Sequence, residues 1–434
     1  MPRFPVVALI ALLSLLVAVP GPAAPAPKAL SPDLRDFYID LHQHPELSLH
    51  EEKTAAKVAA RLRQAGFEVT TGVGGTGVVG VLKNGSGPTV MLRTELDALP
   101  VEEKTGLPYA STVRVKDDSG TEVPVMHACG HDVHMTALVG TAAEMARRKA
   151  DWHGTLVFIG QPAEERIRGA RAMLKDGLFT RFPKPDFVVS LHDTPNLPAG
   201  QLGVTSGYTL ASSDSVDLTI YGKGGHGASP QTTVDPIVIA ARTVLALQTI
   251  VAREKDPQDP AVVTVGSIHG GNKHNIIPDE VKLQLTVRTY SKEVRRHVLD
   301  AIARIARAEA VAAGAEREPT VAVVESTAAT WNDPKLTARV AAALSRQLGA
   351  GNVVESPREM ASEDFSEYGL AGVPAVMFRL GAADPEALAK ATAAGVELPS
   401  LHSSLFAPDR DPTLRTGVAA ETAVLLDLLG KPAG

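Results

Sequence analysis

The sequence predicts an α/β protein: a doubly wound, mostly parallel sheet interrupted by an inserted ferredoxin-like α+β domain. Three observations lead there. Short runs rich in Val, Leu and Ile alternate with helical patterns through roughly the first two hundred residues. Near Gly207 the pattern changes to strand, helix, strand, strand, helix, strand, which is the ferredoxin-like order. From about Asp333 the helix–strand alternation returns. With 434 residues the chain has the length for more than one domain.

In order along the chain, residues 1–26 read as a secretory signal. Arg3 precedes an apolar run from Val6 to Val19 and a proline-rich tail of small residues. That run is shorter than the roughly 20 residues a spanning helix needs, so no membrane association is expected once the signal is cleaved. The protein is then exported, periplasmic or secreted. Ser31 to Gln64 reads as an amphipathic helical stretch broken around His44-Pro45-Glu46. The runs Gly77–Leu82, Thr89–Arg93, Thr155–Gly160 and Phe187–Leu191 read as strands buried on both faces of a parallel sheet, with a helix over Met135–Arg148. In the insertion, Val216–Tyr221, Ala261–Ile268, Val281–Thr289 and Pro319–Val324 read as strands, and Pro236–Arg253 and Glu293–Ala313 as helices. Leu336–Leu348 and Ala375–Leu380 complete the outer domain. The boundaries are therefore 27–205 for the first part of the catalytic domain, 206–326 for the insertion and 327–434 for the second part.

Composition narrows the function. Hydrophobic residues at 44% and charged residues at 21% exclude wholesale disorder. A formal charge of −6 leaves no basic surface to neutralise phosphates, so nucleic acid is not an expected partner. Cys129 is the single cysteine and can make no internal disulfide.

In open parallel sheets, ligands bind beyond the carboxyl ends of the strands. Those ends carry Glu95 and Asp97, Glu164-Glu165, and His192-Asp193, while His127-Ala128-Cys129-Gly130-His131 leads into a helix. Thiol, imidazole and carboxylate at one edge point to a divalent metal centre. Cys129 and His131 lie two apart, so an extended segment would turn both to one face. Glu164 and Glu165 suit a division of labour, one ligating and one facing the water. His134, at the helix start, is a candidate outer partner of the ligands. His42, His44 and His50 read as packing or solvated residues, and His153, His269, His274 and His297 have no ligand pattern around them. The glycines from Gly72 to Gly77 read as a turn, because no Lys-Ser/Thr ending follows.

Three segments resemble signatures of the M20 metallopeptidase clan: Met126-His127-Ala128-Cys129-Gly130-His131-Asp132, Gln161-Pro162-Ala163-Glu164-Glu165 and Gly222-Lys223-Gly224-Gly225-His226-Gly227. Ser362-Glu363-Asp364-Phe365 and His402-Ser403 extend the likeness along the mature chain. The branch resembled is the Cys-containing amidohydrolases that act on N-acyl amino acids, hippurate and auxin conjugates. The resemblance implies two divalent metal ions, zinc or manganese, held by Cys129, His131, Glu165, His192 and His402. It implies Glu164 as general base, Asp97 as orienting partner, and the insertion as a lid and dimerisation domain giving a homo-oligomer. His226 and Asn275 match lid residues that contact substrate, often from the partner subunit. The chain departs from the family pattern at Glu95, where an Asp is usual, at Gln231, where a His often follows the Pro, and at Pro408-Asp409-Arg410.

The expected reaction is hydrolysis of the amide of an N-acyl or N-aroyl amino acid, hippurate-like or an ochratoxin-like phenylalanine amide. An exported dipeptidase or carboxypeptidase of the same binuclear mechanism is the alternative. A thiol hydrolase built on Cys129 would leave Glu164, Glu165 and His402 without a role, and a solute-binding protein would need neither metal nor base.

Overall fold

The computed structural model describes residues 30–430; the leader expected over 1–26 lies outside the described residues. The chain begins with the helix Pro32–Gln43, whose first turn is capped by the Ser31 hydroxyl accepting the Leu34 N–H at 3.2 Å, with Pro at its start. The His44-Pro45 pair stops it, and a second helix follows at Glu52–Gln64.

The main sheet has eight strands in the order Glu68–Val73, Gly77–Asn84, Gly154–Gln161, Thr89–Glu95, Phe187–Pro198, Ala375–Ala383, Leu202–Val204, Val353–Glu355. Its centre is parallel: Gly154–Gln161, Thr89–Glu95, Phe187–Pro198 and Ala375–Ala383 run the same way. Side chains alternate between two cores. Val90, Leu92, Leu156 and Phe158 pack on one face, and Met91, Val157 and Ile159 on the other. Gly77–Asn84 is apolar from Gly77 to Leu82, as a parallel core strand would be, yet it pairs antiparallel with both neighbours. Its pattern reports burial on both faces rather than strand direction.

The insertion folds as a separate four-stranded antiparallel sheet in the order Ala261–His269, Glu280–Thr289, Ser213–Tyr221, Thr320–Thr327. The helices Pro236–Arg253 and Lys292–Ala312 cover it, burying Val216, Leu218, Ile220, Leu247, Ile250, Val298 and Ile302 together. Helix Pro236–Arg253 is apolar and long enough to cross a bilayer by composition, but its stripe of Ile239, Leu247 and Ile250 is spent on this sheet. The chain enters and leaves the insertion through Gly207–Leu210 and Thr330–Asn332, which pair with each other.

Two local readings are corrected. The helix expected from Met135 begins at His131. The strand expected to end at Leu191 runs on to Pro198, so His192 lies within it, opposite Arg379.

Candidate metal centre

The carboxyl ends of the parallel strands bring the chemistry-bearing residues to one place. Cys129 Sγ lies 3.3 Å from His402 Nε2 and 3.6 Å from His192 Nε2. Glu165 Oε1 is 3.5 Å from His402 Nε2, and Glu164 Oε2 is 4.0 Å from His131 Nε2. Donor atoms of Cys129, His131 and His192, of Cys129, Glu165 and His402, and of His131, Glu164 and Glu165 each fall within 4.8 Å of one another. His131 Nε2 and Glu165 Oε1 are buried without hydrogen-bond partners. Orphaned donors facing one another across such distances suit divalent cations, and the mixed S, N and O set suits zinc or manganese. Burial pushes the Cys129 thiol well up, and the Glu165 and Glu164 charges add to the shift. Only a cation would make it a thiolate there. Burial, His134 and Arg379 hold His192 well below the usual imidazole range, leaving it neutral as a ligand must be.

The Cys129–His131 pair meets by a route other than the extended one. Gly130 stands between them in the left-handed region at φ 72°, and His131 opens the helix. A Cβ at 130 would strike the Asp193 carboxylate, so only glycine fits. Three further non-glycine residues of the site hold positive φ: Ala163 at 48°, Ile167 at 53° and His402 at 66°. Each costs of order 1–3 kcal/mol, and such strain persists only where the surroundings fix it.

Behind the ligands lies a buried polar layer. The Asp97 backbone carbonyl accepts from His131 Nδ1 at 2.7 Å, while its carboxylate accepts the Glu165 N–H at 3.0 Å and the Ser48 hydroxyl at 2.6 Å. One residue thus orients the His131 imidazole and the turn bearing the paired glutamates. His134 bridges Glu95 at 2.8 Å and Asp193 at 3.0 Å. Burial opposes its charge, but Glu95 and Asp193 outweigh burial and hold its pKa at about 9. Glu95 also pairs with Arg93, which reaches Glu363 at 2.7 Å and Asp364 at 3.2 Å. The longer side chain at 95 therefore spans an arginine and a histidine at once.

The comparisons with known proteins agree with this geometry. Residues 91–403 match the model of peptidase family M20/M25/M40. The chain belongs to that family. It is 39% identical over 330 residues to hippurate hydrolase of Campylobacter jejuni, covering 76% of this chain and 82% of that one. It is 38% identical over 295 residues to N-acetylcysteine deacetylase of Bacillus subtilis, covering 68% and 74%. It is 36% identical over 408 residues to thermostable carboxypeptidase 1 of Saccharolobus solfataricus, covering 92% and 97%. Among solved structures, a dinuclear metal-binding M20 peptidase of Bacillus subtilis superposes with a TM-score of 0.73 at 30% identity, over 91% of this chain and 97% of that one. This M20 chain is thus a metal-dependent amidohydrolase or peptidase, and the solute-binding alternative falls away.

The M20 centre opens into a cavity of about 510 Å³ lined by Cys129, Glu164, Glu165, His192, Arg288 and His402 among others. Arg288, from the lid strand Glu280–Thr289, is half-buried and donates to Ser362 Oγ at 2.7 Å. Among the described residues it has no carboxylate partner, whereas Arg379 across the cavity is paired with Glu359 at 2.9 Å. Burial, then Glu363 and Glu165, push the Glu164 carboxyl well above its usual range. His226 and Asn275 are not part of this lining. They are exposed neighbours on a short ribbon, Gly225–His226 against Ile276–Ile277, with the Gly227 N–H on the Asn275 carbonyl at 2.9 Å. Sequence reasoning missed Arg288, Glu51 and the buried role of His42. The one local signal was for His42, which shares its helix face with buried Tyr38 and Leu41.

Proposed function

We propose that this enzyme hydrolyses the amide of N-acyl or N-aroyl amino acids, releasing a carboxylate and a free amino acid. The observation that carries the reading is Arg288: a half-buried guanidinium without a carboxylate partner among the described residues, in the same cavity as the ligand cluster. A planar guanidinium there suits the free α-carboxylate of an amino acid and would fix the scissile amide over the cluster. Cys129, His131, Glu165, His192 and His402 would hold two divalent ions, which would supply Lewis acidity there. Glu164, a carboxyl whose pKa burial raises, takes a proton from the attacking water and returns it to the leaving nitrogen. Relatives acting on hippurate and N-acetylcysteine support a small acyl or aroyl group.

His226 and Asn275, exposed on the lid and outside the cavity lining of their own chain, suit delivery to the site of a second copy, so the working form is a homo-oligomer joined through the lid. The signal-like segment 1–26 supports export to the periplasm or beyond. A second reading, peptide cleavage at a free carboxyl end, is favoured by the likeness to a carboxypeptidase.

The deciding experiment assays the metal-loaded enzyme on N-acetyl and N-benzoyl amino acids, dipeptides and their α-amides. Free acids of the acyl series should be turned over and the amidated forms should not. Arg288→Ala should raise KM for the free acids by about thirtyfold, the loss expected for a charge-assisted hydrogen-bonded pair. Equal turnover of acid and α-amide would refute the carboxylate contact, and faster cleavage of dipeptides would favour the second reading.

A further inference from the structure

The turn that carries Glu164 is gripped from behind by a segment that contributes nothing to the cavity. Residues 42–51 leave the first helix and run beneath the metal centre, and three of their side chains each touch a residue beside a catalytic or ligand position. His42 Nδ1 meets Asp132, next to His131, at 2.6 Å. Ser48 Oγ donates to Asp97 at 2.6 Å. Glu51 Oε1 accepts the Ala163 N–H at 2.8 Å, one residue before Glu164.

Glu51 is the telling member. It is fully buried, and among the described residues no cation pairs with it. It sits at the N-cap of helix Glu52–Gln64 but makes no side-chain cap there. Its acceptors go elsewhere: Oε1 takes the N–H groups of Ala163 and of Leu49, at 2.9 Å, and Oε2 takes the Thr76 hydroxyl at 2.6 Å. Burying a carboxylate without a counter-charge is costly, and capping its own helix would have been the cheaper use of it. What it holds is a peptide in a sparsely populated conformation. Ala163 has φ 48° and Ile167, three residues past the base, has φ 53°. Gly169 packs so closely on the Pro162 carbonyl that no side chain fits. Leu49, whose N–H shares the same oxygen, is itself at φ 72°.

We propose that Glu51 is a positioning residue for the reaction: it fixes the Ala163 peptide in its left-handed conformation and so aims Glu164 at the substrate. The proposal rests on Glu164 being the base. Glu51 touches neither substrate nor metal ligand, and it acts through the backbone of the turn.

The test compares Glu51→Gln, Glu51→Asp and Glu51→Ala in the full-length, metal-loaded enzyme, on whichever N-acyl amino acid the wild type turns over fastest. Gln keeps an oxygen for the Ala163 N–H, whereas Asp keeps the charge but is one methylene too short. Glu51→Gln should retain kcat within about threefold, and Asp and Ala should lose about thirtyfold or more, the scale of a misplacement near 1 Å, with KM and bound metal little changed. A purely structural role would lower the unfolding midpoint while kcat per folded, loaded molecule stayed constant, and that result overturns the proposal. Thr76→Val, which removes one donor from Glu51 at a half-buried turn, is the milder probe should the other variants not fold. It should lower kcat by several-fold, and an unchanged kcat there counts against the proposal equally. Glu164→Gln is assayed alongside. If it is dead while the Glu51 variants turn over normally, only the positioning role fails; if it is active, the assignment of the base fails.

Discussion

The turn bearing Glu164 and the ribbon bearing His226 are both short and glycine-flanked, yet they are held in opposite ways. The first is buried at Ala163 and Glu164, strained at Ala163 and Ile167, and tied by Asp97 and Glu51 from two other parts of the chain. The second is exposed at His226 and tied locally, by its pairs with Ile276 and Ile277 and by hydrogen bonds to Asn275, Val234 and Asp279, all within the insertion. Groups that act together within one chain are over-determined by their surroundings. A group that acted on a second copy would need only a platform that presents it.

The sharpest way to break that contrast is at the base. Glu164→Gln should lower kcat by about a thousandfold or more, since it removes the proton acceptor and the activation of water together, and bound metal should be unchanged by elemental measurement. Glu165→Gln should instead empty the site, read as lost metal after dialysis. Next comes the lid. His226→Ala should lower kcat by about a hundredfold, the scale of one oxyanion donor, again with metal retained. Mixing the inactive Glu164→Gln and His226→Ala proteins should restore activity through hybrid oligomers holding one intact site. Confirmed subunit exchange without recovered activity would place the His226 contribution within its own chain.

The smallest effect is on stability and tests how firmly the buried layer is tied. His42 lies between Asp132 and Glu103, with Tyr38, Tyr109 and His127 around it. Burial pulls its pKa down, but hydrogen bonds to Asp132 and Glu103 outweigh burial and hold it at about 9, above its ordinary 6.5. A histidine raised in this way adds its full stability below pH 6.5 and loses it as the pH climbs through 9. The unfolding free-energy difference between wild type and His42→Gln, at saturating metal, should therefore shrink by about 3 kcal/mol across that window. A difference constant with pH would mean that His42 is neutral in the folded protein.

The same contrast explains what could be read from the chain. Glu164, Glu165 and His192 were legible because they follow apolar runs recognisable as central strands, and Cys129 because its segment leads directly into a helix. Even there the local geometry was misjudged: the pairing of Cys129 with His131 depends on the positive φ of Gly130 rather than on an extended segment. His42 and Glu51 were not legible as functional. Their partners lie 90 and 112 residues away, and the helix face that His42 shares with Tyr38 and Leu41 signals only that it is buried, not what it holds. Arg288 falls on the less buried positions of an alternating strand, where an arginine is unremarkable until the sheet is docked against the cavity.

The insertion also dictates an order of assembly. Gly207–Leu210 and Thr330–Asn332 lie side by side, so everything between them can form its own sheet and core as soon as it leaves the ribosome. The catalytic sheet cannot. Phe187–Pro198 waits for Ala375–Ala383 to cover its open flank, and the ligand cluster waits longer still, for His402. During synthesis, a finished lid therefore hangs from an unfinished sheet whose apolar central strand is temporarily an edge, the state in which strands pair with the wrong neighbour. Chains stalled between Asn332 and Ala375 should accumulate as species with a protease-resistant lid and a sheet prone to aggregation.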